Sequence, residues 1–240
     1  HYQGIEWYLE YYRIPSWKGL RIKFFDTIRE SNLPYSFHAP VSDVELAIKD
    51  KTYSKVALDY LKMYIDFLGE IAPADLTIHI GARRIPVEEL SWDNALDNLK
   101  RLVEHGFSKK IRICVENLAH GWTSDPELLI KIAEDVNASI TLDVGHARGS
   151  PWVQKKGGTA LQFIDTISSR VLGAHVYEYE NDKGEHLVPG DDSRIIPVLD
   201  KLTEIGCHWW VLELCTYKET EETLEFVKKY LERRVRYEKD

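Results

Sequence analysis

The chain has 240 residues, of which 44% are hydrophobic, and a formal net charge of −8 at pH 7. This length and composition suffice for one sizeable core. The acidic balance disfavours a nucleic acid held by a broad basic surface, although it leaves open one bound in a locally basic groove. No apolar run has the length of a membrane span. The three cysteines lack a zinc-type spacing, so we expect reduced thiols in a cytoplasmic protein, with a homo-oligomer left open.

Seven stretches of the chain have the composition of β-strands. The first covers residues 4–10, and each of the other six ends in a histidine or an acid. These six cover residues 35–38, 76–79, 111–116, 140–143, 173–175 and 209–213. They recur at intervals of roughly thirty to forty residues, which is the length of one strand, loop and helix unit in a parallel sheet.

Amphipathic helices fit between most of these strands. Residues 51–70 carry apolar side chains at helical spacing, and Ser91 is placed to cap a helix that Gly106 would end. The run Ser124-Asp125-Pro126 predicts another start, since proline at the first helical position loses no hydrogen bond. Further helices are predicted over residues 161–169, 195–205 and 219–234. No linker or composition break divides the chain, so we expect residues 1–240 to form a single domain.

The strand-end histidines and acids share one face of their strands. Residues two positions earlier are mostly small, whereas the immediately preceding residues are all apolar. Because side chains alternate along a strand, the small residues lie on the ligand face and the apolar ones on the other. This pattern is typical of a (β/α)8 TIM barrel, whose narrow interior is enclosed by helices and whose active site lies at the carboxyl ends of the strands.

The repeat supplies seven strands where such an α/β barrel has eight. We therefore expect the N-terminal first strand of the barrel to be missing from this chain. An incomplete barrel leaves sheet edges unpaired, which is a liability for a folded protein. Either upstream residues or a compensating contact should cover them.

The strand-end residues form a mixed set of oxygen and nitrogen donors. Three carboxylates and one imidazole suit a divalent metal of intermediate hardness, such as Mn²⁺ or Zn²⁺. These four are Glu116, Asp143, His175 and Glu213. His38 and His79 add two imidazoles on adjacent strands, and His146 and His186 lie just beyond strand ends, where each could hold a further metal or the substrate. His105 and His208 precede strands, and we expect both to be structural.

Seven short motifs resemble those of one known superfamily, and they follow its order over nearly the whole chain. They are SFHAP at 36–40, IHIG at 78–81, VEN at 115–117, LDVGH at 142–146, AHV at 174–176, HLVPG at 186–190 and LE at 212–213. Together they resemble the xylose-isomerase-like barrels, which include sugar (phosphate) isomerases and epimerases and endonuclease IV.

The resemblance implies different metal sites in its two branches. The epimerase branch implies one metal on Glu116, Asp143, His175 and Glu213, with Glu116 and Glu213 also moving protons. The endonuclease branch implies a second metal with His38 and His79, and a third with His146, His186 and a nearby aspartate. In that branch an acid stands two residues before the position of His186, where this chain has Gly184. Glu185 has the wrong parity to replace it, which argues against a third metal.

The leading hypothesis is a divalent-metal-dependent isomerase or epimerase of a small-molecule sugar or sugar phosphate. A proton would leave the carbon next to the carbonyl through a metal-stabilised enediolate, with Glu116 or Glu213 taking it and the other returning it. Other residues are candidates for holding the substrate. His146 and Asn117 would donate or accept hydrogen bonds, Trp122, Trp152 and Tyr177 would form flat walls, and Arg83, Arg84 and Arg148 would hold a phosphate.

Two alternatives belong to other classes. One is endonuclease IV-like hydrolysis of abasic DNA by two or three metals, which the additional histidines favour and the acidic net charge opposes. The other is a non-catalytic binding barrel, which the near-complete metal set disfavours.

Overall fold

The computed structural model describes residues 3–10, 13–81, 85–181, 183–190 and 193–237. Within these ranges seven strands form one sheet in which each strand pairs in parallel with the next along the chain. The strands are β1 (Ile5–Tyr8), β2 (Tyr35–His38), β3 (Ala74–Ile78), β4 (Ile111–Glu116), β5 (Ser139–Asp143), β6 (Val171–Val176) and β7 (Trp209–Leu212). The seven predicted strands are confirmed.

Helices connect successive strands throughout the described ranges. They are α1 (Lys18–Glu30), α2 (Lys51–Leu68), α3 (Trp92–Ser108), α4 (Pro126–Val136), α5 (Val144–Gly149), α6 (Pro151–Gln154), α7 (Ala160–Ile167), α8 (Ile196–Glu204) and α9 (Tyr217–Tyr237). Short 3₁₀ turns cover Val87–Glu89, Trp122–Ser124 and Ser168–Arg170. Strand, helix and parallel pairing alternate as in a TIM barrel, so the predicted fold class is confirmed as a nearly closed barrel.

The predicted helix starts follow from their capping residues. The Ser91 hydroxyl accepts a hydrogen bond from the Asn94 amide at the start of α3, and the Asp125 carboxylate does the same for α4, where Pro126 follows. The predicted end at Gly106 is wrong, because α3 continues to Ser108. A Cβ on Gly106 would lie 2.6 Å from the carbonyl oxygen of Ile111, so this glycine permits close approach of helix and strand.

The barrel interior is narrow, and most of the side chains that line it are small, as predicted. The hydroxyls of Thr77 and Thr141 lie 2.8 Å apart across it. A large side chain there is Trp209, whose ring is inside the barrel at the start of β7. Its indole N–H donates to Ser36 on β2 (3.1 Å), and a Cβ on Gly4 would meet the ring at 2.3 Å.

Trp209 lies where the barrel has no backbone pairing. Among the described strands β1 and β7 are the two ends of the sheet and do not hydrogen-bond to each other. The indole on β7 therefore hydrogen-bonds to β2 and lies close to Gly4, directly before β1, so that a side chain occupies the gap. The seven-strand count left open upstream residues or a compensating contact, and this indole is one side-chain contact across the gap. Among all the residues that the structure describes, no helix is both long and apolar enough to cross a lipid bilayer.

His105 lies in the last turn of α3, at the end of the barrel opposite the strand-end histidines. Its Nε2 lies 3.0 Å from the carboxylate of Asp66 on α2. The pair is partly exposed, and such pairs contribute about 0.2–1 kcal/mol to stability. We expect His105→Ala to lower the free energy of unfolding by no more than this and to leave turnover unchanged. Urea unfolding and activity assays check both, and a large loss of activity would contradict the structural role.

The three cysteines differ sharply in exposure, with Cys114 and Cys207 buried and Cys215 exposed. Burial raises the pKa of the Cys207 thiol to about 11 and that of Cys114 further, so neither forms a thiolate at pH 8. We expect Ellman's reagent to modify one thiol rapidly in the folded protein and all three in denaturant. Cys215→Ser should abolish the rapid phase. A second rapid equivalent in the folded protein would contradict the burial.

Candidate active site

The structure brings the six strand-end residues together at the carboxyl end of the barrel. His38, Glu116 and Asp143 are the last residues of β2, β4 and β5, and His175 is the next-to-last residue of β6. His79 and Glu213 directly follow β3 and β7. Parallel strands place all of these ends on one rim, which is why residues far apart in sequence meet here.

Glu116 is the centre of the site. Its Oε2 accepts hydrogen bonds from His38 Nε2 (3.0 Å) and His79 Nε2 (3.1 Å), and its Oε1 lies 3.6 Å from His175 Nδ1 and 3.7 Å from His146 Nδ1. The side chain is only 2% exposed. Burial by itself would raise the pKa of Glu116, but the charges of His79 and His175 outweigh it and hold that pKa well below its usual range. The carboxylate is therefore ionised and shared among four imidazoles.

A second group of polar atoms faces the same space, and these atoms lack hydrogen-bond partners. Asp143 Oδ2 and His175 Nδ1 are buried, and neither makes a hydrogen bond. His175 Nδ1 lies 3.1 Å from Glu213 Oε2 and 4.0 Å from Asp143 Oδ2. Buried polar atoms nearly always have a partner, so these atoms indicate a missing one. Two carboxylate oxygens and an imidazole nitrogen are a donor set that a divalent cation fits.

Asp143 presents only one oxygen to this space because the other is occupied. Its Oδ1 accepts hydrogen bonds from the Tyr177 hydroxyl and from the backbone N–H of His146, both at 2.7 Å. Burial raises the pKa of Asp143, against the lowering effect of His146. Tyr177 lies directly over Gly145, where a Cβ would come within 2.1 Å of its ring. The glycine thus allows the tyrosine to reach the aspartate.

Glu213 differs from the other carboxylates in being open to solvent, with 41% of its side chain exposed. Its pKa is lowered to about 2, since the charge of nearby His175 exceeds the opposing effect of lost hydration. The pKa of His175 is raised well above its usual value, because the surrounding carboxylates of Glu116, Glu213 and Glu6 outweigh its burial. The three carboxylates thus favour a positive charge at His175, which they surround.

A third group consists of His146, Glu180 and His186. His146 Nε2 lies 2.7 Å from Glu180 Oε2, and an isolated antiparallel bridge pairs Glu180 with His186. The sequence pattern missed Glu180, because it indicated an acid two residues before His186. The reversal of the chain between residues 180 and 186 instead supplies the acid from the other side of the bridge. These three side chains lie close enough together to be ligands of one ion, and the prediction against a third metal stays a prediction.

Several predicted substrate contacts have other partners. The amide of Asn117 is fully buried and exchanges two hydrogen bonds with the Asp143 backbone, each 2.8 Å long, so it joins β4 to β5. Arg148 pairs with Glu178 at 2.9 Å. The ring of Tyr177 is covered by His186, with centroids 3.7 Å apart. Trp122 packs against Trp92 and Trp152 against Phe163. Arg83 and Arg84 lie outside the described residues.

Two residues of β1 reach the site and were not among the predicted set. Glu6 contacts His175, and Tyr8 lies edge-on to His38 with ring centroids 5.0 Å apart. Tyr8 is 53% exposed. Both residues share the face of His38, since Glu6 pairs with Ser36 and Tyr8 with His38 in the β1–β2 register. The alternation of side chains along β1 is the sequence signal that could have identified Glu6 and Tyr8.

Comparison with known proteins agrees with this geometry. A family model described as a xylose isomerase-like TIM barrel matches residues 2–230. The chain belongs to this family. An uncharacterized family relative from Methanocaldococcus jannaschii is 32% identical over 206 residues, which cover 85% of this chain and 83% of the relative.

Solved structures show the same family fold. A D-tagatose 3-epimerase-like protein superposes with a TM-score of 0.79 at 22% identity, over 97% of this chain and 89% of its own. The IolI protein, solved with a bound zinc atom, superposes with a TM-score of 0.66 at 19% identity, over 96% of this chain and 87% of its own. At these identities the likeness concerns the barrel and not the reaction.

Proposed function

We propose that this protein is a divalent-metal-dependent epimerase or isomerase of a sugar. The observation that carries the proposal is the pair of unsatisfied buried atoms, Asp143 Oδ2 and His175 Nδ1, that face the carboxylates of Glu116 and Glu213. These four residues would hold Mn²⁺ or Zn²⁺. A cation held there would supply positive charge opposite the oxyanion that forms when a proton leaves the carbon beside a carbonyl.

The two glutamates have different access to a substrate. Glu213 is ionised and exposed at the mouth, so we assign it the removal of the proton from the substrate carbon. Glu116 is buried and its Oε2 is engaged by His38 and His79, which leaves Oε1 on the side of His175. We assign Glu116 the return of a proton to the substrate carbon. Because Glu116 is ionised, that proton would come from the Nε2–H of His38 or His79, which hydrogen-bond to its Oε2, and Glu213 would release the proton that it took to solvent. His146, between Glu116 and Glu180, is a candidate for hydrogen bonding to the substrate.

The substrate that we propose is an unphosphorylated ketose. The similarity to a D-tagatose 3-epimerase-like protein supports a ketose. The guanidinium of Arg148 is already paired with Glu178, so it does not offer a phosphate a free cation. Tyr8 projects from the end of β1 beside His38 and offers an exposed ring against which a sugar could pack. We also propose that the enzyme is cytoplasmic and has a single domain. Its free thiols and small substrate fit this proposal.

Deuterium exchange tests this function directly. The metal-loaded protein is incubated in D₂O with D-tagatose, with other ketoses and with their phosphates, and uptake at the carbons next to the carbonyl is followed by NMR. We expect uptake with at least one free ketose and its loss after removal of the metal with a chelator. A protein that binds metal but exchanges no carbon-bound proton of any sugar would contradict the proposal.

The metal count separates this function from a second candidate, phosphodiester hydrolysis at abasic DNA. Two further ligand groups favour the second candidate, namely His38, His79 and Glu116, and His146, Glu180 and His186. The net charge of −8 disfavours it. One tightly bound metal per chain supports the epimerase. Two or three, together with cleavage of abasic DNA at moderate salt, would overturn it.

A further inference from the structure

Glu6 is a buried carboxylate that the proposed reaction does not use. Its side chain is 8% exposed, and its Oε1 lies 2.9 Å from Nε2 of His175, which is 1% exposed. The other carboxylate oxygen accepts a hydrogen bond from the Ser36 hydroxyl at 2.8 Å. Ser36 in turn accepts the indole N–H of Trp209 at 3.1 Å. A continuous chain of hydrogen bonds therefore leads from the barrel gap to His175.

The direction of each hydrogen bond follows from the chemistry of its groups. An indole N–H only donates, and an ionised carboxylate only accepts. The Ser36 hydroxyl must therefore accept from Trp209 and donate to Glu6, and Nε2 of His175 must carry a proton. A neutral His175 then has its lone pair on Nδ1, which is the atom that lies 3.1 Å from Glu213 and 3.6 Å from Glu116.

We propose that Glu6 is a positioning residue that holds His175 in one ring orientation, with Nε2 protonated and Nδ1 directed toward the site carboxylates. This assignment deepens the proposed function, on whose metal centre it rests for its consequence in binding. Carboxylates that hydrogen-bond to the far nitrogen of a metal-bound histidine fix its tautomer, and their removal typically weakens metal binding about 10–100-fold.

The position of Glu6 gives the chain of hydrogen bonds a second role. Glu6 lies on β1 and His175 on β6, while Trp209 lies on β7 and Ser36 on β2. The contacts therefore cross the gap between the two end strands of the sheet. Closure of the barrel and orientation of the histidine depend on the same four side chains.

Metal binding by purified variants tests the positioning role. Zn²⁺ and Mn²⁺ affinities are measured by chelator competition for the wild type, Glu6→Gln and Asp75→Asn. Glu6→Gln keeps the size of the side chain and removes its charge, and we expect affinity to fall about 10–100-fold. Asp75 is a matched control, because it lines the same barrel interior and pairs with Arg112 on the next strand. We expect Asp75→Asn to bind both metals as the wild type does, and equal affinity in Glu6→Gln would overturn the proposal.

The protonation of His175 is measured separately, by long-range ¹H–¹⁵N NMR of the metal-free protein. We expect a slowly exchanging Nε2–H resonance in the wild type and its loss in Glu6→Ala. A wild type without this resonance would overturn the positioning role whatever its metal content. A wild type that shows the resonance but binds neither cation would refute the proposed function and leave the role of Glu6 in orienting His175 supported.

Trp209→Phe gives a graded comparison. It removes the indole N–H and keeps most of the ring that fills the gap. We expect a smaller fall in metal affinity than Glu6→Gln causes, since Ser36 still donates to Glu6. A larger fall would show that the ring, and not the carboxylate, sets the position of His175.

Discussion

Glu213→Gln should lower the rate of proton exchange into the substrate by about 10²–10⁴-fold, the usual contribution of a positioned acid or base. The amide cannot accept the proton that the ionised carboxylate takes. The side chain is 41% exposed and follows β7, so its replacement should not disturb the hydrophobic core. Exchange is measured by NMR in D₂O, at saturating metal, so that any weaker binding of the cation is separated from the loss of the base.

The control is Glu219→Gln, which makes the same chemical change at a residue that hydrogen-bonds to Thr216 near the start of α9. We expect this variant to exchange at the wild-type rate. If Glu213→Gln keeps its activity, Glu213 is not the base. If both variants lose activity together, the effect arises from the local fold and not from proton transfer.

Asp143→Asn should abolish tight metal binding and, in the metal-free protein, raise the melting temperature. The variant keeps Oδ1 as an acceptor for Tyr177 and His146 but replaces Oδ2, which faces the site, with an amide that does not bind a cation. Burial raises the pKa of Asp143, which means that its charged form is unfavourable in the folded protein. Removing that charge relieves the cost when no cation is present.

Thermal unfolding with and without metal measures both effects. A ligand at 100 times its Kd stabilises the folded state by about 2.7 kcal/mol, so the wild type should show a clear rise in melting temperature with Zn²⁺ or Mn²⁺. The variant should show none. His79→Gln is the comparison variant. It removes a partner of Glu116 Oε2 and leaves Asp143 and His175 in place, so the metal should still raise its melting temperature. Unchanged metal stabilisation in Asp143→Asn would exclude this residue as a ligand.

The sequence was most informative where one strand determines the position of a residue. Alternation along each strand predicted which face Glu116, Asp143 and His175 occupy, and the parallel order placed their ends together. The helix starts at Ser91 and Asp125 followed from capping chemistry. The start of α1 was missed, since no side chain caps it.

The remaining features depend on contacts that no local pattern encodes. Glu6 stands in the middle of β1 and meets His175 only because the two ends of the sheet approach each other. Glu180 reaches His146 through a reversal of the chain. Asn117 directly follows Glu116, yet the backbone of Asp143 occupies its amide. Each of these partners is far away in sequence, so the pairing follows from the closed barrel.

The position of Glu116 has a thermodynamic consequence. Its Oε2 belongs to the group with His38 and His79, while its Oε1 faces His175 and His146. Cations bound on the two sides of this carboxylate would share one negative charge and repel each other. The affinity of either side would then depend on occupancy of the other, by the same factor in both directions. One tightly bound metal per chain remains the expectation, and any weaker second binding in a metal titration should show negative cooperativity that disappears in His38→Gln.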